Sequence, residues 1–388
     1  MHLALSCAAS PRPMQAPRMT DAELAAWLTL AGARGLTHAA LRALIDTFGT
    51  PQAIRVEPFQ SLAAVAGEPA ARAVLAPPSA MLDEIVASVA AWCRGAGNAL
   101  VSLRDAAYPA ALRAMHDPPP LLYVKGRLEL LLEPAVAIVG SRGATPQGLE
   151  DAEYFASALA SAGLTIVSGL ALGIDGAAHR GALDVHGDTV AVVGTGVDIV
   201  YPARHGALAS EIAERGAIVS EWPLGTPARR EHFPRRNRLI AGLARGVLIV
   251  EAALRSGSLI TARLANEMGR EVFAVPGSIH SPLSRGCHRL IKDGAKLTET
   301  PEDVFEELGI EPAAAQQRAG SRDTPPPDGR AARVLDALGH APATLEILAA
   351  RTDIDSATLQ GMLLELELAG RLNALPGGRF VRTVRPPR

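Results

Sequence analysis

The twelve residues from Pro227 to Arg238 carry Arg229, Arg230, Arg235, Arg236 and Arg238 against one acid, Glu231, with Phe233 in their midst. Guanidiniums present a rigid fork of N–H donors that matches phosphate or carboxylate oxygens. A ring set among them adds a flat face for a base, the combination that single-strand binding uses. The competing reading is a solvated arginine face, in which Asn237 and Arg238 are structural and Phe233 plugs the core. Small and hydroxyl residues form a second recurrent group, in "GSRGATPQG" with Ser141 and Arg142, "SGLALGIDGAAH", "GTGVDIVYP", "RSGSLITA" with Ser256, Gly257 and Ser258, and Gly277-Ser278. In the first of these Thr145 reads as an N-cap and Pro146 suits the first helical turn, so backbone N–H groups and the helix dipole can meet an anion there. Asp175 and His179 lie four apart on a helical stretch. With no third ligand in sequence reach, capping of a helix start explains Asp175 better than a metal does.

These groups must be positioned by what precedes them. The runs "AVAIVGS", "LTIVSG", "TVAVVGTG", "AIVSEWP", "VLIVEA" and "VFAVPGS" are short and apolar, all but "VLIVEA" are closed by Gly, Ser or Pro, and amphipathic stretches separate most of them. That pattern predicts an α/β fold, a Rossmann-like doubly wound parallel sheet covered by helices on both faces. Ligands of such sheets sit beyond the carboxyl ends of the strands, where the glycine- and serine-rich turns and the arginine segment all fall. A nicotinamide site is not indicated, because the first turn departs from GxGxxG and the second strand ends in Ser168-Gly169 instead of a ribose-binding acid.

The 388 residues carry a formal net charge of −2, so any polyanion site must be local. Cys7, Cys93 and Cys287 are too scattered for a disulfide framework or a zinc site, and suit a reducing cytosol. No apolar run reaches the roughly 20 residues of a membrane span. Residues 1–19 read as a disordered tail and not a signal peptide, with Met14 and Met19 as alternative starts. Residues 20–95 read as a small helical domain of SAM-like or helix-hairpin-helix type, opened by an N-cap in "MTDAELAAWLTL" and broken at Gly32, Gly35, Gly49 and Gly67. Such helix pairs either grip DNA backbone or simply pack, and packing is the better reading. Residues 100–308 hold the sheet. Residues 309–329 are poor in large apolar side chains and read as a flexible linker. Residues 330–388 give helix, turn, helix and two strands joined at Pro376-Gly377-Gly378, a winged-helix pattern. From Asp355 to Gly370 there are Asp355, Glu365 and Glu367 but no Lys or Arg, so protein contact, autoregulation or weak accessory binding through the wing arginines fits this domain better than DNA reading by its second helix.

The stretches "AIVGSR", "SGLALGIDGAAHRGAL", "GTGVDIVYP", "FPRRNRLIAGL", "VEAALRSGSLITARLANEMGREVFAVPG" and "GCHRLIKDGA", in this order, resemble the DNA-processing protein A family (DprA/Smf). The resemblance is strong from about residue 100 to 308 and weaker toward both ends. It implies a bacterial, cytoplasmic, non-catalytic protein that binds single-stranded DNA, forms a homodimer through the Rossmann-like domain and loads a RecA-type recombinase in natural transformation. It also implies a DNA pocket built from Ser141, Arg142, Ser168, Gly169, Arg230, Phe233, Arg236, Asn237 and the turn Ser256, Gly257, Ser258, to which the local charge adds Arg235. At Arg230 the family often has a lysine nearby. No cofactor is implied. Two other classes stay open: a nucleotide-processing hydrolase like the phosphoribohydrolases, and a protein-interaction scaffold. The hydrolases carry PGGxGTxxE, whereas here Glu251 precedes the turn in "EAALRSGSLITA".

Overall fold

Each of the six apolar runs forms a strand, and because the six are parallel the turns that follow them open onto the same edge. The computed structural model describes residues 19–311, 329–339, 343–375 and 377–382. The expected tail up to residue 18, Cys7, most of the expected linker and Pro376 lie outside the described residues. The six strands are β3 (Ala135–Gly140), β4 (Thr165–Ser168), β5 (Thr189–Val192), β6 (Ala217–Ser220), β7 (Gly246–Val250) and β8 (Glu271–Ala274). Two strands that the sequence reading left out, β1 (Asn98–Ser102) and β2 (Leu121–Gly126), precede them, and the short β9 (Lys296–Leu297) follows. The sheet order is β1-β2-β6-β5-β4-β3-β7-β8-β9. From β6 to β9 all neighbours are parallel, while β2 pairs antiparallel with β1 and β6. The order runs outward in both directions from β3, which makes the gap between β3 and β7 the topological switch point.

Helices α8 (Pro146–Ser161), α9 (Ile174–Asp184), α10 (Gly206–Arg215), α11 (His232–Leu243), α12 (Gly257–Glu267), α13 (Arg285–Lys292) and α14 (Pro301–Leu308) connect or follow the strands, and the single turn α7 (Ala110–Arg113) lies between β1 and β2. Alternation along β3 sends its side chains to two cores. Val136 and Ile138 pack with Phe155 and Leu159 of α8, Ala177 of α9 and Phe305 of α14, and Ala137 and Val139 join the cluster of Leu239 and Ile240 of α11 and Ala262 of α12. The same second cluster takes in the six N-terminal helices α1 (Asp21–Ala31), α2 (His38–Phe48), α3 (Pro51–Val56), α4 (Phe59–Ala66), α5 (Glu68–Leu75) and α6 (Leu82–Cys93), through Leu24, Trp27, Leu44 and Val89. Thr20 caps α1 in a capping box with Glu23, and Gly32, Gly49 and Gly67 end helices α1, α2 and α4.

The chain divides into two compact units, residues 1–316 and 317–388. The second contains α15 (Gly329–Leu338), β10 (Ala343–Thr344), α16 (Leu345–Thr352), α17 (Ser356–Leu368), β11 (Leu372–Leu375) and β12 (Arg379–Arg382) around Val334, Leu348, Leu359, Leu363 and Leu372. Strand β12 lies between β10 and β11, giving the winged-helix arrangement with a leading helix and strand that the sequence reading did not include. Asp355 spends its carboxylate as the N-cap of α17, accepting from the Thr358 N–H at 3.0 Å.

Candidate nucleic-acid interface

Four turns meet at the carboxyl edge of the sheet: residues 141–145 after β3, 169–173 after β4, 193–205 after β5 and 251–256 after β7, with the start of α11 beside them. The first turn is set locally. Ser141 Oγ accepts from the Gly143 N–H at 3.2 Å, and Thr145 caps α8 by accepting from the Gly148 N–H at 3.0 Å with Pro146 in the first turn. Ser256 caps α12 in the same manner, and its hydroxyl lies 2.7 Å from that of Ser258. Arg142 is exposed, and its guanidinium lies over the Phe233 ring at 5.4 Å. Tyr201, from the turn after β5, packs against the same ring at 5.5 Å and is 49% exposed. Arg142, Phe233 and Tyr201 thus form a charged, aromatic cluster open to solvent at the strand ends.

The arginines of the 227–238 segment divide sharply. Arg229 and Arg230 are exposed on the turn, and Arg235 is exposed with its guanidinium 5.0 Å from the Trp222 ring, which in turn stacks on His232 at 3.7 Å. Arg236 and Arg238 are buried. Arg236 donates to the Val192 carbonyl at 2.8 Å and passes so close to Gly169 that a Cβ there would lie 1.7 Å from its Nη1, so only glycine fits. Burial pulls the Arg236 pKa down to about 10, with the Asp175 carboxylate opposing, which leaves it cationic at neutral pH. Burial raises the Asp175 carboxyl, and the Arg236 charge resists that rise. Arg238 is paired with Glu221 and donates to the Asp117 carbonyl at 2.7 Å.

Several expectations are corrected here. Ser168 is fully buried and its hydroxyl donates to the Ile138 carbonyl at 2.6 Å, so it ties β4 to β3 and cannot touch a strand. Arg236 acts as an internal strut under Gly169, not as a phosphate fork, and Ser258 is buried at the start of α12. The expected anion at the α8 N-terminus is a carboxylate of the chain itself: Glu251 accepts from the Thr145 N–H at 2.8 Å and the Thr145 hydroxyl at 2.5 Å. Asn237 donates to the Gly257 carbonyl at 3.4 Å and so links α11 to the start of α12. The structure therefore brings together Ser141, Arg142, Phe233, Asn237, Ser256 and Gly257 around one edge, and sets Arg230 and Arg235 on its flank.

Tyr201, Trp222 and Glu221 were not singled out from sequence. Tyr201 stands inside the quoted "GTGVDIVYP", where an aromatic among small residues at a strand end was the available signal.

His179 is fully buried, with Nδ1 2.7 Å from the Thr189 hydroxyl, and Asp175 accepts from the Gly169 N–H at 3.1 Å, so the two side chains serve separate packing roles. Burial depresses the His179 pKa to about 3, and burial with nearby Arg238 and Arg235 depresses that of His38 to about 4. Between about pH 4 and 6.5 the unfolded chain therefore binds protons on both imidazoles and the folded chain does not. Stability should fall as pH drops through that window by about 1.4 kcal/mol per pH unit for each group. Urea denaturation at several pH values checks this: His179→Asn should flatten the slope by about one proton, and an unchanged slope would contradict it.

Comparison with known proteins bears on the whole arrangement. Residues 99–309 match the family model described as DNA recombination-mediator protein A, and residues 318–378 match the DprA winged helix domain. Protein Smf of Escherichia coli (strain K12) is 44% identical over 296 residues, covering 75% of this chain and 79% of the relative. DNA processing protein DprA of Streptococcus pneumoniae (strain ATCC BAA-255 / R6) is 50% identical over 207 residues, 53% of this chain and 73% of the relative. The X-ray structure of DNA processing protein A from Streptococcus pneumoniae superposes with a TM-score of 0.63 at 38% identity, over 75% of this chain and 99% of that one.

Proposed function

This chain belongs to the DNA recombination-mediator protein A family, and we propose from that premise that it is a non-catalytic, single-stranded DNA-binding protein. It protects incoming DNA and loads a RecA-type recombinase onto it during natural transformation in a bacterial cytoplasm, acting as a homodimer through its Rossmann-like domain. The name of one relative, DNA processing protein DprA, supports the DNA-directed part of this reading.

One observation carries it: the Arg142 guanidinium, the Phe233 ring and the Tyr201 ring share one open cluster at the switch edge of the sheet. Guanidiniums supply sequence-independent phosphate contacts, and unpaired bases, unlike those of a duplex, can turn to stack on the rings. The hydrolase reading loses support because Glu251, the one acid beside these turns that sequence offered for it, is tied to Thr145. Among the described residues no helix is long and apolar enough to cross a membrane.

The test is a titration of labelled single-stranded and blunt duplex oligomers at matched salt, with the full chain and with a chain ending at residue 310. The single strand should bind more tightly, with little sequence preference and a steep salt dependence. The shortened chain should stay folded and keep most of that affinity, because the cluster and its supporting cores lie in the first unit. Equal or tighter binding to duplex would overturn the reading. Loss of single-strand affinity in a folded shortened chain would move the site to the winged-helix unit.

A further inference from the structure

Glu251 directly follows β7 and has φ of 52°, a left-handed conformation that costs a non-glycine residue on the order of 1 kcal/mol or more. Its carboxylate gives the physical reason for holding it there. The two oxygens take the N–H and the hydroxyl of Thr145, the N-cap of α8, at 2.8 and 2.5 Å. Gly148 makes the room: a Cβ at that position would lie 2.5 Å from the Glu251 carboxyl carbon. This place, between β3 and β7 at the start of the first crossover helix, is where a sheet of this topology offers a phosphate its N–H groups.

We infer that Glu251 is a specificity-determining residue, a built-in anion that closes the switch point to the phosphate of free nucleotides and leaves anion recognition to the exposed guanidiniums outside it. A phosphate entering the turn must displace a carboxylate that is already tethered, and so present at high effective concentration. It must also approach a second acid. Asp151, one helical turn further along α8, is half-buried, and burial and the Glu251 charge both raise its carboxyl. A polymer read along its backbone needs no such end-on phosphate seat, whereas a mononucleotide does. The role assigned to the outer guanidiniums rests on the single-strand reading above; the closure of the turn does not.

The test uses the full chain with inorganic phosphate and thymidine monophosphate as probes, by calorimetric titration and thermal melting against sodium chloride of equal ionic strength. Wild-type protein should bind either only weakly. Glu251→Gly suits the left-handed backbone while removing the carboxylate, and it should bind phosphate about tenfold or more tightly than wild type and melt higher in its presence. Glu251→Gln keeps the turn filled and should still exclude phosphate. A wild-type chain that binds either probe as tightly as Glu251→Gly overturns the inference, and so does a folded Glu251→Gly protein that binds neither. Single-strand titrations run alongside keep the two ideas apart: a wild-type chain that excludes phosphate yet fails to bind oligonucleotide sinks the DNA-binding reading and leaves the closure by Glu251 standing.

Discussion

Arg238→Met should lower the stability of the folded chain by about 3–5 kcal/mol, the cost of leaving a buried charge without its partner. Arg238 ties three pieces together. It lies on α11, pairs with Glu221 just after β6, and donates to the Asp117 carbonyl ahead of β2. The Glu221 side chain is only 3% exposed, and burial already raises its carboxyl against the pull of Arg238. Without the guanidinium the acid must take a proton or draw water in. Replacing both residues by apolar side chains, Arg238→Met with Glu221→Leu, should recover much of the loss, because a buried ion pair and a packed apolar pair differ little in net stability. Urea denaturation of the single and double variants checks this. A single variant that costs less than about 1 kcal/mol would mean that the pair is hydrated like a surface bridge. Single-strand affinity measured at low temperature should be unchanged in either variant, since Arg238 has no free donor face toward solvent.

Phe233→Ala should weaken single-strand binding by roughly 1–3 kcal/mol, about 5- to 150-fold, without altering the charge of the site. The ring is half-buried: one edge lies against Gly194, and Arg142 and Tyr201 flank it. Phe233→Tyr and Phe233→Trp should restore much of the affinity, because any flat π face can carry a base. Melting temperature measured on the same proteins separates stacking from packing. A destabilised Phe233→Ala protein with normal affinity at low temperature would make the ring a core plug, and a weakened but equally stable one makes it a platform.

How much of this was legible in the sequence depended on how local the cause was. The six parallel strands were visible because a strand buried on both faces must be apolar throughout. Strands β1 and β2 were missed: they pair across a long connection and add antiparallel to an edge, so no nearby turn announces them. Helix starts at Thr20, Thr145 and Ser256 followed from local capping chemistry. The fate of the arginines did not, because Arg235 and Arg236 are one residue type and what separates them is direction. Helical phase would have helped: Arg236 falls in step with Leu239, Ile240 and Leu243, the buried face of α11. Its neighbours Gly169 and Asp175, and the partners of Arg238, come from distant loops. The same holds for Tyr201 against Phe233 and for Glu251 against Thr145, contacts that exist only once β5 lies beside β6 and β3 beside β7.

The salt dependence of single-strand affinity in Arg142→Ala, set beside wild type and Phe233→Ala, tests most directly whether charge and stacking act together at this edge. Arg142 holds its exposed guanidinium 5.4 Å from the ring, so its removal should weaken binding and make the slope of log affinity against log salt shallower by about one ion, while Phe233→Ala leaves the slope as in wild type. Identical slopes and affinities for wild type and Arg142→Ala would contradict a DNA site at the switch edge of the sheet.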